Sequence, residues 1–221
     1  IKKERLNMQF MQPRNLNTDT RRFVQIIKQE DGKEIISPMP LNKNTIIIAG
    51  FPGIGKSYEF RKYAGTGTIC VDSDSSKFHW TMENGKKILN PEWPHNYEES
   101  ILSHIGDVDY LCVSTHKETI DILEGLGVPY MLVYPKRELK ESYLNLYRKR
   151  GNDESFITLL NDKWDFFIDS VEHANPHIRK VLNDGEFLGD ILYDMEYTEL
   201  EALKDKWTSW QIKQAKSDTV R

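Results

Sequence analysis

Short apolar runs alternate with amphipathic segments along most of the chain. From residue 44 onward, four runs have the β-branched and aromatic composition of buried strands, and a weaker run extends the series: 44–49, 68–71, 110–114, 130–134 and 178–182. The segments between them have helical spacing: 58–64, 96–105, 117–124, 137–150 and 153–171, followed by 198–216 at the C-terminal end. This alternation predicts an α/β fold of three layers, with a mainly parallel sheet between helices.

The first 43 residues do not share this pattern. Residues 1–20 are polar and irregular and predict an arm, whereas 23–27 and 34–36 predict a β-hairpin that turns around 30–32. We therefore expect residues 1–43 to be an extension and residues 44–221 to form the main domain.

Residues 75–95 and two candidate N-cap residues complete the prediction of secondary structure. Residues 75–95 are aromatic and contain Pro91 and Pro94, so we expect irregular structure there. Asn96 and Asp153 stand where N-caps of the following helices are expected.

Composition narrows the classes of function only in part. The 221 residues are 38% hydrophobic and carry a net charge of −4, so bulk electrostatics give no reason to expect a nucleic-acid partner. No apolar run approaches the ~20 residues of a membrane span, and no signal peptide is visible, although the chain begins at Ile1 and a preceding segment stays open. Cys70 and Cys112 lie in strand-like runs and predict buried thiols in a reducing, cytoplasmic compartment.

Residues 50–57 carry the most specific chemistry. They fit the phosphate-binding pattern G-x-x-x-x-G-K-[S/T] and stand between a predicted strand and a predicted helix. The pattern predicts that Lys56 reaches the β- and γ-phosphates of ATP and that Ser57 binds Mg²⁺. The backbone N–H groups of the loop and of the start of the next helix are expected to bind phosphate oxygens. The other residues expected to surround the nucleotide are Gly50, Pro52, Gly53, Ile54, Gly55 and Tyr58. The alternative is a glycine-rich turn without a ligand.

Two carboxylates follow the second predicted strand. Asp72 and Asp74 leave the sheet beside the loop, where one can hold Mg²⁺ through water and the other can orient an attacking hydroxyl. The alternative is a turn in which these side chains cap the next element.

The third predicted strand ends in Ser114, Thr115 and His116, with no acidic residue at its tip. The absence of a carboxylate there disfavours an ATPase motor that hydrolyses ATP. For His116, the alternative to a contact with substrate is an imidazole on the protein surface.

The loop followed by Asp-x-Asp resembles the small-molecule and nucleotide kinases of the P-loop class, shikimate kinase among them. The resemblance implies that Asp72 lies near Mg²⁺ and that Asp74 binds the acceptor. Residues 133–137, Tyr143 and 147–151 are similar to the basic lid of nucleoside-monophosphate kinases and to a group of phage and prophage P-loop proteins. This similarity implies a lid around 135–155 and places Asn183 in an adenine pocket; it covers residues 44–185.

Three arginines in the predicted lid have a physical reason to matter. Arg137, Arg148 and Arg150 are candidates for stabilising charge on a transferred phosphoryl group, the alternative being a solvated basic helix face. A second group of rings could stack on a nucleobase or form the core of an insert: His79, Trp80, Trp93, His95 and Tyr97.

The sequence therefore predicts an ATP- and Mg²⁺-dependent phosphotransferase that acts on a nucleotide or another small acceptor. Two alternatives remain: an NTPase that acts with a nucleic-acid or protein partner, and a non-catalytic nucleotide-binding interaction protein. The acceptor, the choice between ATP and GTP, and the oligomeric state stay open.

Overall fold

A computed structural model describes residues 24–28, 33–38, 44–195 and 197–217. The predicted arm (1–20) and the turn of the predicted N-terminal hairpin lie outside these residues. The described chain forms nine strands: β1 Val24–Lys28, β2 Glu34–Pro38, β3 Ile46–Gly50, β4 Cys70–Asp72, β5 Trp80–Glu83, β6 Lys86–Leu89, β7 Tyr110–Val113, β8 Tyr130–Pro135 and β9 Ile178–Leu182.

Eight α-helices and one short 3₁₀ helix accompany the strands in the same part of the chain. The α-helices are α1 Lys56–Lys62, α2 Ser76–His79, α3 His95–His104, α4 Lys117–Leu126, α5 Lys140–Lys149, α6 Glu154–Glu172, α7 Leu188–Asp194 and α8 Tyr197–Ser217. The 3₁₀ helix, Arg137–Leu139, precedes α5, so the predicted helix 137–150 is two elements.

Five parallel strands form the main sheet in the order β4-β7-β3-β8-β9. In the central strand, Ile48 pairs with Cys112 on one side and Met131 on the other. Every residue of β3 and β8 is buried, as expected of strands covered on both faces. The predicted α/β architecture with a parallel sheet is confirmed.

The order of the strands creates a crevice at the carboxyl ends of β3 and β8. These strands are neighbours, but the chain leaves β3 toward the edge strand β4 and leaves β8 toward the other edge strand β9. In open α/β sheets such a reversal opens a crevice beyond the strand ends, where ligands bind. The loop 51–55 follows β3 at this crevice.

Aromatic packing holds α6 against the start of this loop. The ring of Trp164 lies 5.4 Å from the ring of Phe51, and its indole N–H donates to the carbonyl of Arg137 at 2.8 Å. Both rings are fully buried. At the N-terminal end of α6, Asp153 accepts from the backbone N–H of Phe156, which confirms the predicted N-cap.

The N-terminal hairpin is confirmed as a separate two-stranded antiparallel sheet. Strands β1 and β2 pair with Ile26 opposite Ile36, and neither strand joins the main sheet. The C-terminal helix α8 lies against both strands. Among the described residues, no helix is long and apolar enough to cross a membrane.

The prediction of irregular structure at 75–95 is wrong for much of that segment. Helix α2 is followed by the hairpin β5–β6, in which Glu83 pairs with Lys86 around Asn84 and Gly85. Both turn residues have positive φ, 50° and 74°. An Asn-Gly pair is a strong signal for a two-residue hairpin turn, because both residues tolerate this region.

The predicted cap of α3 is also wrong. Helix α3 begins at His95 with Pro94 in the N-cap position, and Asn96 is already helical. The amide of Asn96 instead donates to the carbonyl of Phe78 at 2.9 Å, which ties α3 to α2. Helix α7, which the pattern of apolar residues did not predict, follows β9.

Candidate functional site

The loop between β3 and α1 needs glycine at two positions. Gly53 has φ +86° and Gly55 has φ +94°, in the left-handed region that side chains with a Cβ avoid. Gly55 is the residue before α1, so its conformation turns the chain directly into the helix. The first backbone N–H groups of α1 are thereby left pointing into the loop, as a phosphate site requires.

Lys56 lies under the loop in a crowded position. A Cβ on Gly50 would come within 2.8 Å of the Lys56 side chain, so glycine is required there as well. The ammonium donates to the carbonyls of Gly50 at 2.6 Å and Phe51 at 3.1 Å. Burial lowers the pKa of Lys56, while the negative charge of Asp72 opposes that effect.

Neighbouring elements fix the loop from two sides. The hydroxyl of Tyr147, in α5, donates to the carbonyl of Pro52 at 2.8 Å. On the other side, the backbone N–H of Leu188, at the start of α7, donates to the carbonyl of Ile54 at 2.8 Å. The Ile54 side chain is fully buried and anchors the loop from below. The predicted lid and the unpredicted α7 therefore both contact the loop.

Ser57 and Asp72 meet at the edge of the loop. The Ser57 hydroxyl donates to Oδ2 of Asp72 at 2.5 Å. These are hard oxygen donors of the kind that Mg²⁺ prefers, and Mg²⁺ in nucleotide sites takes few protein ligands because phosphates and water complete its shell. Within the described ranges no three His, Cys, Asp or Glu side chains gather into a metal site of their own. The pair fits a Mg²⁺ that is bound jointly with phosphate.

Asp74 has both features that the sequence left open. Its Oδ1 accepts from the backbone N–H of Ser76 at 3.0 Å, which is the capping turn of the alternative interpretation. The carboxylate is nevertheless exposed, and its charge acts on Lys56 across the strand ends. One oxygen therefore shapes the turn, while the charge of the carboxylate acts on Lys56.

Tyr97 holds the ends of β4 and β7 together. Its hydroxyl donates to the carbonyl of Ser73 at 2.9 Å and accepts from the N–H of Ser114 at 3.4 Å. The residue is fully buried, and this burial raises the pKa of the phenol to about 12. Tyr97 thereby keeps Asp72 and Asp74 in place, a positioning role that the sequence did not indicate.

A cavity of about 910 Å³ opens from the loop between α1, α5, α6 and α7. Its lining includes Pro52, Gly53, Gly55, Lys56, Ser57, Tyr58, Tyr147, Arg150, Asn152, Phe156, Phe187 and Tyr193. Three of the aromatic side chains there are also exposed to solvent, namely Tyr58 (64%), Phe187 (40%) and Tyr193 (88%). A space of this size that begins at a phosphate-binding turn can hold a nucleoside triphosphate.

The three predicted arginines have different surroundings. Arg150 lines the cavity, and its charge contributes to the lowered pKa of Lys56. Arg148 is exposed and donates to the side chain of Asn145 at 3.0 Å. Only Arg150 of this pair faces the loop.

Arg137 is held away from the loop by helix α6. Its guanidinium pairs with Asp165 at 3.1 Å, Asp169 at 2.5 Å and Glu172 at 2.7 Å. Five N–H donors in a planar fork suit such a set of carboxylates. These contacts give Arg137 a structural role, because they fasten the segment after β8 to α6.

Asn183 stabilises a turn between β9 and α7. Its backbone N–H and its amide both donate to Oε2 of Glu186, at 2.7 and 2.8 Å. The residues of this segment that line the cavity are Phe187, Gly189 and Asp190. Asn183, which the resemblance assigns to an adenine pocket, is not among the residues that line the cavity.

The aromatic insert is largely a small core. Trp93 stacks on Tyr97 with ring centroids 5.7 Å apart, and Phe78 lies 5.1 Å from Tyr97. Trp80 is different, since its side chain remains 40% exposed. The insert therefore supports α3 and leaves one ring on its surface.

Comparison of the chain with protein-family models and with curated proteins finds no match. Function is accordingly inferred from the residues of the site.

Proposed function

We propose that the chain is an ATP- and Mg²⁺-dependent phosphotransferase of the P-loop kinase type. One observation carries the proposal: Lys56, the Ser57–Asp72 pair and Arg150 surround a loop that opens into a nucleotide-sized cavity. A glycine-rich turn without a ligand would not need a partly buried lysine, because the ammonium loses hydration free energy there.

The loop binds the triphosphate through its backbone and through Lys56. The N–H groups at the start of α1 donate to phosphate oxygens, and the positive end of the helix adds to their effect. Lys56 exchanges the carbonyls of Gly50 and Phe51 for the β- and γ-phosphates. Anionic phosphate offers the buried ammonium a stronger partner than two neutral carbonyls do.

Ser57 and Asp72 hold Mg²⁺, Ser57 directly and Asp72 directly or through water. The ion supplies neutralisation of the charge on the β- and γ-phosphate oxygens. The Ser57–Asp72 contact supports this assignment because it already brings the two oxygen donors to the phosphate end of the loop.

Arg150 provides the positive charge on the cavity side. Its position opposite Lys56 allows the guanidinium to donate to oxygens of the transferred phosphoryl group, where charge accumulates in the transition state. Tyr147, in helix α5, which ends immediately before Arg150, donates a hydrogen bond to the loop itself. Movement of α5 would therefore change the arginine and the loop together.

Transfer to an acceptor is favoured over hydrolysis by the end of β7. The residues that follow this strand, Ser114, Thr115 and His116, include no carboxylate to polarise a water molecule. The exposed carboxylate of Asp74 lies at this edge and is not among the residues that line the cavity. We assign Asp74 to the orientation of the acceptor.

The test is an acceptor screen with purified protein, Mg²⁺ and ATP labelled in the γ-phosphate. The panel contains nucleosides, nucleotides, polynucleotide ends and small alcohols, and each assay is repeated with Lys56→Ala and Asp74→Asn. We expect at least one acceptor to take up label with the wild type and with neither variant. If no acceptor is labelled above the Lys56→Ala background, phosphotransfer is refuted; strong hydrolysis that Asp74→Asn leaves unchanged would favour an NTPase.

A further inference from the structure

Two imidazoles face each other at the ends of β4 and β7, on the Asp74 side of the loop. His116 precedes α4, and His79 ends α2. Their ring centroids are 6.2 Å apart and the rings are nearly perpendicular, at 84°. We call the set Asp74, His79, Trp80, Trp93 and His116 the imidazole surface.

His116 is close enough to the phosphate site to be affected by its charges. His116 keeps part of its surface in solvent, but desolvation by the groups packed around the ring lowers the pKa of His116. Glu118 opposes this shift and His79 adds to it; Asp74 and Lys56 have the smallest effects, which are opposite in sign. At neutral pH the ring is therefore uncharged and can accept a hydrogen bond or a proton.

His79 is positioned by aromatic contacts. Its ring lies 4.6 Å from Trp80 and 4.6 Å from Trp93. Its Nδ1 atom is buried and has no hydrogen-bond partner within the described part of the chain. Buried polar atoms in native proteins nearly always have a partner, so this nitrogen retains hydrogen-bonding capacity for a ligand.

An exposed ring completes the surface. Trp80 remains 40% exposed although the ammonium of Lys87 lies 4.9 Å from the centre of its ring. An exposed indole can serve as a stacking platform for a planar ligand such as a nucleobase.

The charges near this surface disfavour a phosphate-bearing acceptor. The imidazole surface itself contains no arginine, the side chain best suited to bidentate recognition of phosphate, and the ammonium of Lys87 lies over the Trp80 ring. Asp74 adds a negative charge that would repel a phosphate dianion. An uncharged hydroxyl, in contrast, can donate to a carboxylate or to a neutral imidazole.

We propose that the imidazole surface binds an acceptor of the nucleoside class, with its base stacked on Trp80 and its hydroxyl between Asp74 and His116. This inference rests on the proposed function, since the acceptor must meet a bound triphosphate. The sequence predicted a nucleotide or another small acceptor, and a nucleoside belongs to the second group.

The reaction transfers the γ-phosphoryl group of ATP to the hydroxyl of the nucleoside. The hydroxyl oxygen of the nucleoside forms a bond to the γ-phosphorus while the bond from phosphorus to the β–γ bridging oxygen breaks, and the electron pair leaves with ADP. The hydroxyl proton passes to the imidazole of His116, which returns it to solvent. Asp74 accepts a hydrogen bond from a second hydroxyl of the sugar and thereby orients the attacking hydroxyl in line with the bond that breaks.

The experiment compares each nucleoside with its own 5′-monophosphate: adenosine, guanosine, cytidine, uridine and thymidine. Phosphate transfer from labelled ATP is measured for the wild type, His116→Gln, Trp80→Ala and the control His173→Gln, which alters an exposed histidine at the end of α6. Calorimetric titration with ATP and Mg²⁺ accompanies every variant, and circular dichroism checks folding.

We expect at least one nucleoside to be phosphorylated at least tenfold faster than its monophosphate. His116→Gln should lower kcat at least tenfold, Trp80→Ala should mainly raise KM for the nucleoside, and both should bind ATP like the wild type. His173→Gln should behave like the wild type.

Three results would overturn the inference: preference for the monophosphates, no nucleoside phosphorylated although ATP binds, or wild-type transfer by both His116→Gln and Trp80→Ala. Absence of ATP binding to the wild type would instead refute the proposed function itself, so the two failures are distinguishable.

Discussion

Replacement of Gly53 by alanine tests how the loop is built. Gly53 has φ +86°, and a Cβ there would lie 2.9 Å from Cε1 of Tyr147, the residue that bonds to Pro52. The chain supplies a matched control in Gly67, which also has φ +86° but whose added Cβ would meet nothing within 4 Å. Both substitutions impose the same backbone strain, and only Gly53→Ala disturbs the contact between the loop and α5.

The magnitudes follow from these two effects. An L-residue in the left-handed region costs about 1–2 kcal/mol, which both variants should lose in free energy of unfolding. Displacement of the buried Tyr147 ring adds about 1–3 kcal/mol for Gly53→Ala alone. For a chain of this length each kcal/mol corresponds to about 2–4 °C in Tm.

Urea unfolding followed by circular dichroism gives the stabilities, and calorimetric titration gives the Kd for ATP with Mg²⁺. We expect Gly67→Ala to bind ATP like the wild type and Gly53→Ala to bind at least tenfold more weakly. If Gly53→Ala is no less stable than Gly67→Ala and binds ATP normally, the loop does not depend on its contact with Tyr147.

Three further predictions concern the lid, the metal and a helix end. Arg150→Ala should raise the Kd for ATP at least tenfold, whereas Arg137→Ala should lower the Tm without changing that Kd; equal effects on binding would contradict the separation of the two arginines. Ser57→Ala should remove most of the dependence of ATP binding on Mg²⁺ in titrations with and without the ion, and retention of the full dependence would exclude Ser57 as a ligand. Hydrogen bonds from the Ser155 side chain and from the first turn of α6 hold the pKa of Asp153 below its usual 3.8. The ionised carboxylate therefore stabilises the fold above pH 3.8, and this stabilisation is lost as the pH falls through the lower pKa of the folded state. Asp153→Ala should therefore destabilise the chain at pH 7 but have a smaller effect near pH 2 in thermal unfolding, and an equal effect at both values would contradict this role of the carboxylate.

The sequence predicted the sheet well because its strands are buried on both faces. Runs such as 46–50 and 130–135 are almost wholly apolar, and the glycine-rich loop between a strand and a helix has few structural alternatives. The parallel arrangement followed from the alternation of strands and helices. The order of the strands did not follow, because periodicity contains no information about which strands are neighbours.

The insert shows where local patterns were missed. The proline residues at 91 and 94 suggested irregular structure, but the Asn84–Gly85 pair specified a hairpin turn before them. Helix α7 was missed because its seven residues are too few for the apolar positions to establish a helical period. Its start nevertheless lies against the loop, through the bond from Leu188 to Ile54.

The roles of individual residues at the site depend on the orientation of their side chains, which a sequence does not show. Arg137 and Arg150 are similar in the sequence, yet one side chain turns to the acids of α6 and the other to the cavity. Asn183 and Phe187 lie in one loop, and only Phe187 reaches the cavity. Tyr97 was recognised as aromatic, but its hydrogen bonds to two strand ends depend on packing between distant segments.

Binding of ATP is the most direct test of the central claim that the loop is a nucleotide site. Calorimetric titration of the wild type and Lys56→Ala with ATP, in the presence and absence of Mg²⁺, measures it without knowledge of the acceptor. We predict one ATP per chain for the wild type, tighter with Mg²⁺, and at least tenfold weaker binding by Lys56→Ala. No binding to the wild type, or equal binding by the two proteins, would contradict the claim.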